Sequence, residues 1–367
     1  NATLVIVGDF PLALLEERVR HWFADWQPAN DPAEPETGPV NLARSGETDI
    51  YVDPALSEGV SISRYGPWQD RPDTVANRQQ SILRQVGYGV INRRLQALAR
   101  AADAPFRGAS FGTGDLFEDA RQTTLSVSSE DGQWRKGLVA AAVEVRRALA
   151  YGFSDAEVAE QVAQLRNALE EDMRGSNTRT HNTLAGAALA LVDEKRIPST
   201  PQSALERFEG FASRITPAAA LEAVLADVVA LNDPLIRYQG RTEPQGGAEA
   251  LRAAWNEAAI AQVDPPKPGA QVAFAYTDFG APGAVVSDTR DARLGIRLIR
   301  FANGLRLNLK QTDIRKDRVS FRLRLDGGEL LNTEDDPLRT ALVSSLPGGG
   351  LGAHSQDELA TILAGRS

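Results

Sequence analysis

The chain has 367 residues, 42% of them hydrophobic and 24% charged, which is the balance of an ordinary folded chain long enough for two or three domains. Its formal charge of -9 argues against nucleic acid as a partner, because a polyphosphate surface calls for clustered Lys and Arg. No apolar run approaches the roughly 20 residues of a membrane span, and the lack of Cys excludes disulfides, thiolate metal sites and Cys nucleophiles and favours an oxidising compartment such as the periplasm over the cytoplasm.

Thr3–Phe10 reads as a buried-type strand that turns into a helix, with Leu12, Leu15, Val19 and Trp22 recurring on one face. There is no starting Met and no signal peptide, so this opening is expected to be the middle or end of a fold. Residues 28–45 are rich in Pro, Asn, Glu and Gly and read as a linker. Strands follow at Thr48–Asp53 and Val60–Tyr65. From Pro72 a helical stretch runs to about Ala102, with Val75, Ile82, Val86, Val90, Ile91, Leu95 and Leu98 as its apolar stripe.

Gly108–Gly114 and Gln122–Ser128 read as a two-stranded meander, and Gly132–Tyr151 and Asp155–Met173 as helices. Between these helices Gly152 suits a C-cap and Ser154 an N-cap, with Glu157 at the capping-box position. Helical patterning continues over Leu184–Val192, Ser203–Phe211 and Ala218–Leu231. A strand at Pro234–Gly240 and a helix from Gly247 to Glu257 then repeat the opening strand–turn–helix. Trp255 echoes Trp22 or Trp26, which suggests a duplicated architecture.

Residues 262–292 read as a second linker, followed by strands at Ile296–Phe301, Leu305–Leu309 and Val319–Leu325, with Asn303-Gly304 as a hairpin turn. A short helix is expected over Pro337–Leu346, ending at Pro347 to Gly350. Strands and helices come in groups, so the expected fold class is α+β: an antiparallel-rich sheet with helices packed on one face.

Chemistry is sparse. His21, His181 and His354 do not pair at helical spacing, so no helix face offers two imidazoles to a metal. His21 and His181 read as ordinary helix-surface residues. His354 sits in a Gly-rich loop, where a general-base role would need a nucleophile and an orienting acid in reach. Gly348–Gly350 lacks the Lys-Ser/Thr ending of a phosphate loop, and Gly112-Thr113-Gly114 is a turn signal only. Glu170-Glu171-Asp172, with Arg166 and Arg174 four residues either side of Glu170, reads as a salt-bridged, solvated face.

Several stretches in order nevertheless carry a resemblance. Thr3–Phe10 with the helix ending Phe23-Ala24-Asp25-Trp26 resembles a segment of the pitrilysin/insulinase family of zinc metallopeptidases, to which mitochondrial processing peptidase and insulysin belong. Arg71-Pro72-Asp73-Thr74, Asn92-Arg93-Arg94-Leu95, Ala104 to Ser110 and Tyr151 to Val158 resemble the second, non-catalytic domain of its long bacterial members. Phe301-Ala302-Asn303-Gly304-Leu305-Arg306-Leu307, with Asp317-Arg318-Val319 and Asp326-Gly327-Gly328, resembles the opening hairpin of a further family domain.

The resemblance implies a ferredoxin-like sandwich of the processing-peptidase type. Residues 1–27 would end domain one, 46–260 would form domain two, and 294–367 would begin a degenerate domain three, with 28–45 and 261–293 as linkers. It implies zinc in the intact protein, held by an inverted His-x-x-Glu-His helix that this chain lacks. At the matching place, Pro337–Leu346, there is neither His nor Glu. No catalytic, cofactor-binding or metal residue therefore carries over. The implied partners are a peptide or unfolded polypeptide substrate and a catalytic domain of the same chain or of a partner subunit. The segment alone is expected to be inactive.

Overall fold

A computed structural model describes residues 3–27, 38–266, 273–313, 319–324 and 326–364. The chain divides into two compact units, residues 1–166 with 179–268, and residues 167–178 with 269–367.

The first unit is built on five strands: β1 (Thr48–Val52), β2 (Gly59–Pro67), β3 (Gly108–Leu116), β4 (Ala120–Ser128) and β5 (Leu235–Gly240). Their order is β1-β5-β2-β4-β3, and every pairing is antiparallel except β1 with β5. Alternation decides the faces. Val60 and Ile62, Thr123, Leu125 and Val127, and Ile236 and Tyr238 are buried on one side. Gln122, Thr124 and Ser126 take the alternate positions on the other.

Helices cover the apolar face: α2 (Val75–Arg100), α3 (Trp134–Tyr151) and α8 (Gly247–Ile260) lie against the strands, and α7 (Pro217–Asp227) lies against α2. Val86, Val90, Ile91 and Leu95 of α2, Leu138 and Ala141 of α3, and Leu251 and Ala254 of α8 are all at most 2% exposed. Each fully buried Leu or Ile contributes about 1.5–3 kcal/mol of transfer free energy. Gly87 sets the α2–α7 distance, since a Cβ there would run into Val224 and lie 2.9 Å from the Ala220 carbonyl oxygen.

The expected capping box holds α4 (Asp155–Arg174): the Glu157 carboxylate accepts from the Ser154 amide at 2.8 Å, and the Glu157 amide donates to Ser154 Oγ at 3.3 Å. Arg94 of α2 forks onto Glu157 at 2.6 and 2.8 Å and donates to the Gly152 carbonyl at 3.0 Å. Burial works against the Glu157 charge, yet the Arg94 fork and the Ser154 amide hold its carboxyl below the usual range. The remaining helices of this unit are α1 (Leu12–Phe23), α5 (His181–Asp193) and α6 (Pro201–Ala212).

The second unit contains β6 (Val285–Asp291), β7 (Ile296–Phe301) and β8 (Arg306–Leu309) in an antiparallel sheet, and α9 (Gln356–Ile362). The Asn303-Gly304 turn forms as expected: Gly304 has φ +89°, and Asn303 Oδ1 accepts from the Leu305 amide at 3.1 Å.

Several details differ from the sequence reading. Residues 3–7 form no strand, because no other described segment supplies a ladder for them. The stretch read as a second linker contains β6, whose valines Val285 and Val286 follow directly on Gly280, Pro282 and Gly283. Residues 319–324 are extended but unpaired, with Val319, Phe321 and Leu323 exposed. Over Pro337–Leu346 a turn leads into a 3-10 helix, Ala341–Gly349, since the glycines that follow support a longer α-helical ladder poorly. The helix read to Leu231 stops at Asp227. Helix α9 was missed although Ser355 and Glu358 make a capping box. Residues 28–37 and 267–272 of the expected linkers, Asp317-Arg318 and Leu325 lie outside the described residues.

Candidate functional site

A cavity of about 620 Å³ in the first unit lies where the β2–α2 and α5–α6 loops and the end of α7 meet the end of β3. Trp68 to Asp73 enter from the β2–α2 loop, Thr113 to Asp115 from β3, Asp193 to Ile197 from the α5–α6 loop, and Asp227 from the end of α7. A second, shallower depression of about 400 Å³ runs along the helix-free face of β3 and β4 and shares Thr113, Gly114 and Asp115 with it.

Asp227, 3% exposed, anchors the floor. Its Oδ1 accepts from Arg71 Nη2 at 2.6 Å, with Arg84 Nε 3.8 Å away, and its carbonyl accepts from Arg121 at 2.9 Å. Tyr88 Oη is 2.9 Å from Asp227 Oδ2 and 2.8 Å from Thr113 Oγ1, and Thr113 Oγ1 is 2.7 Å from Thr123 Oγ1. A carboxylate can only accept, so the Tyr88 proton points to Asp227 and the two threonine hydroxyls donate in sequence towards Tyr88. Burial pushes the Tyr88 phenol far up, and the Asp227 charge adds to this. Burial also lowers the Arg84 guanidinium, with Arg71 acting in the same direction.

Beside this floor, Arg78 grips both oxygens of Asp73, and Asp73 also accepts from the Ile197 amide at 2.7 Å. The Asp73 carboxyl falls to about 2, chiefly through the Arg78 hydrogen bond. That link fastens the α5–α6 loop to the start of α2.

Strand β3 is an edge of the sheet. Asn92 of α2 occupies part of that edge: its Oδ1 accepts from the Phe111 amide at 2.9 Å and its Nδ2 donates to the Phe111 carbonyl at 2.9 Å. In an antiparallel ladder the outward-facing backbone groups recur at every second residue. The next outward groups therefore belong to Thr113 and Asp115, at the cavity. The edge is blocked at Phe111 and open at Thr113–Asp115, which gives an extended chain a short ladder on which to hydrogen-bond.

None of the three His reaches this cavity. His21 is exposed on α1 beside Trp22, and His181 is the exposed first residue of α5. His354 is buried in the second unit: its Nε2 accepts from the Ala275 amide at 2.8 Å, and its ring stacks on Phe274 at 5.5 Å. Arg174 pairs with Glu170 at 2.9 Å as the sequence suggested, while Arg166 pairs with Glu209 at 2.6 Å. Gly112-Thr113-Gly114 lies within β3 and is not a turn. Among the described residues no group of three His, Asp or Glu side chains is placed to hold a metal ion, so these residues do not fit a zinc site. No described helix is long and apolar enough to cross a membrane.

Sequence reasoning overlooked Asp227, Tyr88 and Asn92 as a set. The available signal was Asp227 closing the Ala218–Val228 run, which is apolar but for it and Glu222, and Asn92 standing inside a helical stripe.

A family model described as Peptidase M16 inactive domain matches residues 1–165. Among solved structures, the periplasmic protease PqqL from Escherichia coli is 15% identical, with 96% of this chain and 39% of that chain covered at a TM-score of 0.59. A predicted insulinase family protease from Yersinia pestis is 15% identical, covering 68% of this chain and 54% of that one at a TM-score of 0.55. The ferredoxin protease FusC, a mutant in complex with Arabidopsis ferredoxin, is also 15% identical and covers 83% of this chain and 34% of that one at 0.51. No curated protein matches. The resemblance read from the sequence is borne out by family model and by fold: the matched segment is of the peptidase M16 inactive-domain type and fits a non-catalytic part of a metallopeptidase-family protein. The chain spans about two fifths of the length of the Escherichia coli protease.

Proposed function

We propose that this chain is the non-catalytic, peptide-holding part of a bacterial zinc metallopeptidase of the pitrilysin/insulinase type. The match of residues 1–165 to an inactive domain carries the reading. In this reading residues 1–27 end a catalytic-type domain, 46–260 are the non-catalytic second domain, and 294–367 begin a degenerate third, joined through 28–45 and 261–293. The zinc and its ligands lie elsewhere in the intact protein, and a periplasmic location is supported by the similarity to the periplasmic protease of Escherichia coli. The open end of β3 holds an extended polypeptide while a catalytic domain of the same chain, or of a partner subunit, cuts it.

Two measurements test this. The purified chain is expected to retain no stoichiometric zinc after dialysis and to cleave no unstructured peptide. Retained zinc with chelator-sensitive cleavage would sink the proposal. An extended peptide is expected to bind, and its counterpart N-methylated at alternate amides to fail, because strand addition depends on backbone hydrogen bonds. Equal binding of the two peptides removes β3 from the reading. A His-x-x-Glu-His helix encoded upstream of Asn1 would distinguish the single-chain enzyme from a separate partner subunit.

A further inference from the structure

Resting on that reading of the β3 edge, we infer that Asn92 is its specificity-determining residue. The side chain stands in for one residue of a docked strand, ends the ladder at Phe111, and leaves an incoming chain two pairing positions, Thr113 and Asp115.

The side-chain amide of Asn carries the same donor and acceptor as a peptide group. Asn92 presents both to one residue: Oδ1 accepts from the Phe111 amide at 2.9 Å, and Nδ2 donates to the Phe111 carbonyl at 2.9 Å. That is the two-bond exchange of a hydrogen-bonded antiparallel pair, made here by a side chain. The second Nδ2 hydrogen goes to the Tyr88 carbonyl, one helical turn back, at 2.8 Å. This fixes which way the amide faces, since turning it over would set Oδ1 against two carbonyls and Nδ2 against an N–H. The Tyr88 hydroxyl is itself 2.8 Å from Thr113 Oγ1. Helix α2 therefore meets the β3 edge at two successive turns, which holds the Asn92 amide in place.

A ladder on β3 is bounded at both ends. Outward backbone groups recur at alternate residues, so Ala109, Phe111, Thr113 and Asp115 carry them. Asn92 takes Phe111 and cuts Ala109 off from the rest. Beyond Asp115 the strand ends at Leu116, and Phe117 and Glu118 turn the backbone away with φ of +54° and +58°. Between these limits a guest chain finds two carbonyls to which its own amides donate, those of Thr113 and Asp115. They lie about 7 Å apart, at a rise of ~3.4 Å per residue. Continuing towards Phe111, the guest backbone would have to occupy the place of the Asn92 amide. Asn92 thus sets the length and register of the docked segment through its backbone, whatever side chains that segment carries.

The test uses the complete 367-residue chain, a labelled Val/Thr decapeptide, and amide hydrogen exchange read residue by residue with and without saturating peptide. In the free parent the Phe111 amide is expected to exchange slowly and those of Thr113 and Asp115 fast. The peptide is expected to slow Thr113 and Asp115 by about tenfold or more and to leave Ala109 unchanged. In Asn92→Ala the free Phe111 amide is expected to exchange fast and to become protected when the peptide binds. Anisotropy is expected to show the decapeptide binding this variant about fivefold more tightly than the parent, since a further pair forms. A purely structural Asn92 would leave the pattern of peptide protection the same in both proteins, and that result overturns the inference. So does protection of Ala109 together with Thr113 in the parent, because the ladder then runs past Asn92. The parent measurement decides by itself where Asn92→Ala does not fold. Both of these outcomes leave the β3 reading standing. Absence of peptide binding, or binding that leaves Thr113 and Asp115 unprotected, overturns that reading and this inference together.

Discussion

The two strand–turn–helix segments at residues 3–23 and 235–260 look alike in sequence and differ in structure. In the second, β5 is paired on both sides, and Leu251, Ala254 and Ala258 of α8 are fully buried. In the first, residues 3–7 have no strand partner among the described residues, α1 has no buried residue, and Leu12 and Trp22 are 75% and 64% exposed. The periodicity is equivalent, but only one segment meets an opposing layer. An apolar stripe states which face can be buried, and the hydrophobic term is realised only when another surface removes that face from water.

The largest test of that contrast is a paired truncation. Leu251→Ala is expected to destabilise the first unit by about 2–5 kcal/mol, and Leu12→Ala by less than about 0.5 kcal/mol, in urea unfolding. Equal effects would show that α1 is covered in solution and would erase the contrast. Gly87→Ala probes the same principle from the crowded side. Its methyl meets Val224 and the Ala220 carbonyl, so a loss of about 1–3 kcal/mol is expected, against no measurable loss for Gly186→Ala, whose Cβ meets nothing within 4 Å.

The smallest effect is electrostatic. Asp73 has a folded pKa of about 2, below its ordinary 3.8. Its contribution to stability is therefore complete above the ordinary value and is lost as the pH falls from there towards 2. Asp73→Asn is expected to remove that component, so that variant and parent converge at low pH and diverge above it. A constant gap across the range would place the role of Asp73 in packing and not in its charge.

The same contrast recurs in the second unit. β7 intersperses Ile296, Leu298, Ile299 and Phe301 with Arg297 and Arg300, yet Leu298 is 39% exposed and β6 is exposed along nearly its whole length. The pattern made β7 and β8 readable, and the Asn303-Gly304 turn set their register, while β6 was read as linker. Their lack of burial could not be read, because it depends on what lies against the sheet.

The candidate site divides in the same way. Its parts stand in plain view in the sequence: Arg71-Pro72-Asp73, the glycine-spaced Thr113, and Asn92 inside a helical stripe. Their roles do not. Asp227 meets Arg71 across 156 positions of chain and Tyr88 across 139. Asn92 takes the place of a strand partner at Phe111 only because α2 crosses the edge of the sheet there.

By itself the sequence determined most element types of the first unit, their apolar faces, the Ser154–Glu157 cap, the α+β class and the family resemblance, since each rests on local stereochemistry or short-range periodicity. Only the tertiary structure decided which apolar faces are covered, which sheet edge stays open, and which carboxylates pair with which cations. Those outcomes depend on long-range approach, where burial and pairing are settled between residues that carry no mark of each other in the chain.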